Sequence, residues 1–130
     1  MAGEASLTTL LQQMEPVLNE GEFVFCSTGA IDDKYWQKAI GTFREKEGLT
    51  VIINKMTADE FNLSYELVFS WITLTVHSAL EAVGLTAAFS TALSNEGISC
   101  NVVAAFYHDH IFVPQKDADK AMSILQNLGG

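Results

Sequence analysis

Residues 70–114 of this 130-residue chain read SWITLTVHSALEAVGLTAAFSTALSNEGISCNVVAAFYHDHIFVP. Apolar and polar residues alternate from Ser70 to His77, which predicts a strand with one buried face. From Leu85 to Asn95 the apolar spacing changes to three and four residues, which predicts a helix. Two more alternating segments, over 98–107 and 111–113, are separated by a short polar turn and predict two further strands.

A second helix is predicted over 118–128, with Asp117 and Asp119 near the positive end of its dipole. The resulting order of strand, helix, strand, strand and helix is most of a ferredoxin-like βαββαβ unit. The fourth strand of that unit is missing, because only Gly129 and Gly130 follow the helix. An uncovered sheet edge promotes aggregation, so we expect the first part of the chain or a second subunit to supply this strand.

The preceding residues predict a second, less regular α+β half. Its predicted elements are a helix over 7–14, a strand over 22–28, a hairpin over 39–54 whose turn is 46–48 with Gly48 at the residue that needs a positive φ, and a short helix over 57–61. No Pro/Ser-rich linker separates the halves, so we predict two halves, 1–62 and 63–130, packed together in one α+β chain. On the strand predicted over 65–77, Ile72 and Leu74 face the helices, while Trp71 and Thr73 lie on the opposite, open face.

Composition and charge restrict the partners and the compartment. Hydrophobic residues make up 48% of the chain, and a net charge of −9 argues against nucleic acid and anionic membrane as partners. No apolar run reaches the roughly 18 residues that span a bilayer, and the N-terminus lacks the pattern of a signal peptide. Cys26 and Cys100 lie in apolar surroundings without a CxxC spacing, so we expect buried thiols in a reducing cytoplasm rather than a disulfide or metal pair.

The sequence carries no motif for catalysis or for a cofactor. It has no GxGxxG, Walker A, HExxH or GxSxG segment, and His77 is not accompanied by a nucleophile. His108 and His110 point to one side of a strand, but a single such cluster rarely completes a metal site. We therefore expect no enzymatic activity, no metal and no cofactor.

The segments VHSALEAVGLTAAFSTALSNEGIS and VVAAFYHDHIFVP resemble the ACT domain, a small-molecule-binding regulatory module of amino-acid metabolism. The resemblance is greatest to a branch with small stand-alone bacterial proteins of unknown function and the ACT modules of the eukaryotic cytosolic arginine sensor. The signature covers residues 73–125, and EFVFCS with FREKEGLTVII resembles the companion module upstream. The resemblance implies an ACT-like, ferredoxin-like fold in both halves, regulatory amino-acid binding, and assembly through side-by-side sheets.

The resemblance also implies a ligand site at an interface, formed by the loop from the first strand into the first helix and by the neighbouring strand. That loop is 80–85 here, and Ser99 and Asn101 lie on the matching strand. Phe106 and Asp109 correspond to an aromatic residue and an acid that line the pocket of the arginine sensor, whose turn acid is matched by the shifted Glu81 or lost to Ala82. The predicted ligand-binding residues are Glu81, Ala82, Val83, Gly84, Leu85, Ser99, Asn101, Phe106 and Asp109.

Elementary chemistry supports such a site and also offers simpler interpretations. Free N–H groups of residues 83–85 at a helix N-terminus can hold an α-carboxylate, and Asp109 or Asn101 can accept from an α-ammonium. Little basic charge is available for an acidic ligand, so neutral or aromatic amino acids are favoured. Equally, Gly84 can serve a sharp turn, Asp109 can bond its own backbone, and a buried Asn101 amide can bond a neighbouring loop.

We interpret the chain as a regulatory module that binds a free amino acid or a similar small metabolite and that forms a homodimer. The first alternative is a structural or assembly protein that uses the open sheet face around Trp71 for oligomerisation, without a ligand. The second is a small enzyme on a ferredoxin-like scaffold, which the fold alone does not exclude but which lacks a recognisable acid, base or nucleophile.

Overall fold

The computed structural model describes residues 7–29, 32–75 and 84–128. The elements in chain order are α1 (Leu7–Gln13), β1 (Glu15–Leu18), β2 (Phe23–Thr28), α2 (Asp33–Lys38), β3 (Gly41–Glu45), β4 (Gly48–Asn54), α3 (Lys55–Glu60), β5 (Phe69–Thr75), α4 (Leu85–Asn95), β6 (Asn101–Ala104), β7 (Asp109–Pro114), a 3-10 turn (Gln115–Asp117) and α5 (Ala118–Gln126). They form two compact units, which we call the inserted unit, Glu20–Ser70, and the split unit, Met1–Asn19 with Trp71–Gly130.

The split unit contains a sheet in which β5 is followed by β7 and β6, and β1 pairs with β5. The β1 pairing is antiparallel, from Glu15 opposite Thr75 to Leu18 opposite Ile72. With α4 and α5 this gives the strand order of a ferredoxin-like unit. The expectation that the first part of the chain can supply the missing strand is confirmed, although residues 15–18 were not themselves predicted as a strand. The sequence does not predict this strand because Pro16 lies within it, although proline is tolerated on edge strands.

The core of the split unit lies between this sheet and its helices. Ile72 and Leu74 of β5 are fully buried, as the predicted two faces of this strand require. They pack in one cluster with apolar residues of α1, α4, β7 and α5, among them Leu10, Phe89, Leu93, Ile111, Val113 and Leu125. The opposite face of β5 carries the half-buried Trp71 and Thr73.

In the inserted unit the strands follow the order β3, β4, β2, and Phe69 at the start of β5 pairs with Phe23. The predicted hairpin is confirmed as the antiparallel pair of β3 and β4. The core consists of alternate residues of β2 and β4 with one residue from each helix, namely Val24, Cys26, Leu49, Val51, Ile53, Tyr35 and Ala58. Both cysteines of the chain are free thiols, Cys26 buried and Cys100 half-buried.

Three predicted boundaries differ from the structure. The strand predicted over 65–77 begins only at Phe69, because Tyr65 and Val68 pack against the inserted core from an irregular segment. The segment predicted over 98–107 is a strand only over 101–104. The helix predicted to begin at Thr57 begins at Lys55, because the Asn54 side chain accepts a hydrogen bond from the Met56 N–H at 2.9 Å and caps it.

Candidate functional site

The entry into α4 depends on a left-handed glycine. Gly84 has φ = 92° and precedes the first residue of α4, and its carbonyl accepts from the Ala88 N–H at 2.9 Å. A residue without Cβ adopts this conformation without steric cost. Leu85 is only 5% exposed and packs in the split core, so it offers a ligand its backbone rather than its side chain. The predicted ligand residues Glu81, Ala82 and Val83 lie outside the described residues.

Ser99 lies in a groove at the other end of α4. The groove has a volume of about 430 Å³ and is lined by Ser90, Thr91, Ser94, Ile98, Ser99 and Cys100. Its polar groups are hydroxyls and one thiol, and burial raises the pKa of the Cys100 thiol to about 11. The thiol is therefore protonated at neutral pH, and the lining side chains carry no charge.

Asn101 is exposed, so the prediction that its amide is buried is wrong. It is the first residue of β6, which the sheet order puts at the end of the ladder beside β7. Asn101 is opposite Phe112 and Val102 is opposite Ile111, so Asn101 lies on the face away from the core residue Ile111. The alternation of an apolar strand does not distinguish a buried amide from one at a solvent-facing edge. Its amide is accessible to solvent or to a ligand.

Phe106 and Asp109 lie at the opposite end of β6 from Asn101. Asp109 is paired with Ala104, whereas Asn101 is paired with Phe112. Asp109 is half-buried, and burial raises its carboxyl pKa, although nearby His110 and His108 act to lower it. The Phe106 side chain is 74% exposed, and its ring meets the Tyr107 ring edge-on at a centroid distance of 4.9 Å.

The predicted site residues that the structure describes therefore do not form one pocket within a single chain. Gly84 and Ser99 lie at the two ends of the 11-residue α4. A helix of that length spans about 16 Å, which is longer than a free amino acid. The structure separates a part at the start of α4 from a part at its end, where Ser99 lines the groove.

A hydrogen-bonded cluster that the sequence did not predict lies on the sheet face of the split unit that carries Trp71. The Trp71 Nε1–H donates to His110 Nδ1 at 3.1 Å, and Thr73 Oγ1 lies 3.2 Å from the same nitrogen. The Asn19 amide Nδ2 donates to Thr73 Oγ1 at 2.9 Å. Strand alternation puts Trp71 and Thr73 on one face, but nothing in the sequence assigns Asn19 or His110 to them.

Within the described residues, no three His, Cys, Asp or Glu side chains are arranged as metal ligands. Among the same residues, no helix has the length and apolar character needed to cross a membrane.

Two family models match the chain. Both describe an ACT domain, one over residues 2–70 and one over residues 66–127. The chain belongs to the ACT domain family. ACT domains are regulatory modules that bind small-molecule ligands, often amino acids. No match was found among curated proteins.

Solved structures share the architecture of this ACT protein. A Vibrio cholerae protein of unknown function, described as a possible transport protein, is 47% identical, covers 99% of this chain and 100% of its own, and has a TM-score of 0.88. An Agrobacterium tumefaciens protein is 21% identical over 89% of both chains, with a TM-score of 0.68. The ligand-free regulatory subunit of aspartate kinase from Thermus thermophilus is 11% identical over 87% of this chain and 95% of its own, with a TM-score of 0.65. At identities this low, the last two show the shared fold.

Proposed function

We propose that this ACT protein binds a free amino acid and acts as a regulatory sensor in the cytoplasm rather than as an enzyme. The groove beside Ser99 carries the proposal, because its volume of about 430 Å³ falls within the range of small-molecule sites. Free thiols at Cys26 and Cys100 suit a reducing compartment.

We propose that the ligand lies between two copies of the chain. Because only residues 96–100 connect α4 to β6, we infer that the chain reverses there, with Gly84 toward the Ala104 end of β6 and Ser99 toward the Asn101 end. Antiparallel pairing of two β6 edges about a twofold axis would bring the Gly84 end of one copy beside the Ser99 groove of the other. A homodimer with two equivalent sites follows from this arrangement.

The charges of the site favour a neutral or aromatic amino acid. The groove lining has no charged side chain, so it suits an uncharged ligand side chain. The N–H groups at the start of α4 suit the α-carboxylate, and Asp109 or Asn101 suits the α-ammonium. A ligand of this kind regulates by favouring one arrangement of the two copies, and only to the extent that its affinity differs between arrangements.

A thermal-shift screen of the common amino acids tests the proposal. At about 100 times its dissociation constant a ligand adds roughly 2.7 kcal/mol, which is several degrees for a chain of this size. We expect the shift to be lost in Ser99→Val and kept in Ser64→Val, a control at an exposed position of the inserted unit. The proposal is wrong if no amino acid raises Tm, or if Ser99→Val keeps the full shift.

Exposed apolar residues favour a second candidate function, that of an assembly protein without a ligand. Val103 on β6 is 41% exposed, and Phe106 and Tyr107 in the following turn are 74% and 79% exposed. The open face around Trp71 is a weaker candidate surface, because that indole is half-buried and bonded to His110. Sedimentation velocity separates the two functions: a stable dimer that no amino acid affects supports assembly.

A further inference from the structure

The hydrogen bonds at His110 fix its protonation state. An indole N–H can only donate, so His110 Nδ1, 3.1 Å from Trp71 Nε1, must accept. Nδ1 then carries a lone pair, and the ring is neutral with its proton on Nε2. This tautomer follows from the donor alone, and the single lone pair of Nδ1 can be shared with a second, weaker donor in a three-centre hydrogen bond.

Thr73 supplies that second bond. Its Oγ1 accepts from Asn19 Nδ2 at 2.9 Å, which leaves its own proton free to point at His110 Nδ1, 3.2 Å away. Asn19 also donates twice to the Trp71 carbonyl, from its backbone N–H at 2.9 Å and from Nδ2 at 3.2 Å. The cluster of Asn19, Trp71, Thr73 and His110 therefore ties together β7, β5 and the residue that follows β1.

We propose that His110 is a pH-sensitive element that stabilises the junction of β1, β5 and β7 only while its ring is neutral. A proton on Nδ1 would face the indole N–H of Trp71 and the hydroxyl of Thr73. The bond from Trp71 would be lost, and Thr73 would have to reverse its direction to accept from the ring. The inference rests on the fold of the split unit and does not depend on the proposed ligand.

The surroundings of His110 also favour its neutral form. Burial lowers the pKa of His110 and His108 lowers it further, whereas Asp109 raises it. The His108 ring centroid lies 6.4 Å away, and its buried Nδ1 has no hydrogen-bond partner among the described residues. The described residues of β5 and β6 carry no ionisable side chain, and on β1 the acid is Glu15, opposite Thr75.

The sign of the pH effect follows from this lowered pKa. The unfolded chain takes up the proton more readily than the folded one, so the stabilisation is fully present above the ordinary histidine pKa of about 6.5. It is lost as the pH falls from there through the lower pKa of the folded state.

Nuclear magnetic resonance of the ¹⁵N-labelled full chain between pH 4.5 and 8 tests the proposal. We expect His110 to show the Nε2–H tautomer, to titrate below 6.5, and to shift the Trp71 indole signal on the same curve. In Thr73→Val the neutral ring loses one donor, so its midpoint should rise by about half a unit to one unit. Thr75→Val, on the same face of the same strand, is the matched control and should leave the midpoint unchanged.

Amide hydrogen exchange measures the effect on the junction. The protection factor of the Asn19 amide, which bonds the Trp71 carbonyl, should fall below the His110 midpoint, and in Thr73→Val it should follow the raised midpoint. The proposal is overturned if the His110 ring is in the Nδ1–H tautomer or titrates with a midpoint at or above 6.5. It is also overturned if the two valine variants have equal midpoints, or if the protection of the Asn19 amide does not change at the His110 midpoint.

Discussion

Gly84 is a residue whose backbone conformation limits substitution, since its φ of 92° is left-handed. We expect Gly84→Ala to lower the free energy of unfolding by about 1 kcal/mol, the cost of a Cβ in that conformation. Urea denaturation measures it. Gly29→Ala is the control, because a Cβ there meets no atom of the described residues within 4 Å. Equal stabilities of the two variants would show that a Cβ at position 84 causes no backbone strain.

Cys100 is a half-buried thiol whose pKa of about 11 sets its chemistry. The thiolate is the reactive form, so in a Cys26→Ala variant we expect Cys100 to react with Ellman's reagent at pH 7 about a hundredfold more slowly than in urea. A similar rate in both conditions would mean that the thiol is not shielded. Because Cys100 lines the groove, a ligand that lowers this rate further would occupy it.

Sequence patterns were informative about single residues where geometry is local. The turn role of Gly84 follows from its position just before a periodic segment, and its φ is left-handed there. The exposure of Asn101 was not predictable, because whether β6 has a neighbouring strand on one side or on both depends on the order of strands in the sheet. The bond between Asn19 and Thr73 joins residues far apart in the chain and leaves no local signal.

At the scale of elements, β6 is the edge through which we expect two copies to pair. Val103→Lys puts a charge on that edge, which blocks pairing while leaving an exposed side chain exposed. We expect the variant to sediment as a monomer. Phe43→Lys is the matched control, because Phe43 is 71% exposed on β3, an edge strand of the inserted unit. Monomers in both variants, or dimers in both, would contradict pairing through β6.

The start of α3 depends on its cap. Asn54→Ala removes the acceptor for the Met56 N–H, and we expect a loss of about 1 kcal/mol of stability, measured by thermal or urea unfolding. Thr57→Ala, at the residue from which the sequence predicted this helix, should be close to neutral. The reverse result would show that Thr57 is the cap.

Elements with a regular period were predictable and those defined by distant packing were not. The α4 helix, the hairpin of β3 and β4, and β2 agree with the predictions within one or two residues, because periodicity and turn residues are local. The predicted strand over 65–77 was too long, since Tyr65 and Val68 pack against the core of the inserted unit from outside any strand. The short β1 was missed, because four residues with a proline carry no alternating pattern.

For the whole molecule, a site between two copies couples ligand binding to association. We expect the amino acid that raises Tm to tighten the dimer by the same factor by which dimerisation tightens its binding. The apparent dissociation constant should then fall as protein concentration rises, which calorimetry at several concentrations measures. In Val103→Lys the dependence should vanish. A concentration-independent constant in the unaltered chain would mean that each copy binds alone.

The family and fold of the whole chain were predictable from its residues, since the segments over 76–99 and 102–114 carry a recognisable pattern. The origin of the fourth strand was predictable only as a choice between the first part of the chain and a second subunit. The pairing of Glu15 with Thr75 decided it, and a contact across so much of the chain has no signature in either partner. The division at 62 and 63 stays a prediction, as does the identity of the ligand.

The position of β1 in the chain also has a consequence for synthesis on the ribosome. β1 emerges before Glu20–Ser70, whereas its partner residues 72–75 emerge after that segment. At about 5 to 20 residues per second, β1 waits roughly 3 to 11 s with no strand to join. The inserted unit can acquire its structure during that interval, so β1, the first strand made, is paired only after the strands of that unit can be. A nascent chain halted near residue 70 would present Val17 and Leu18 to chaperones.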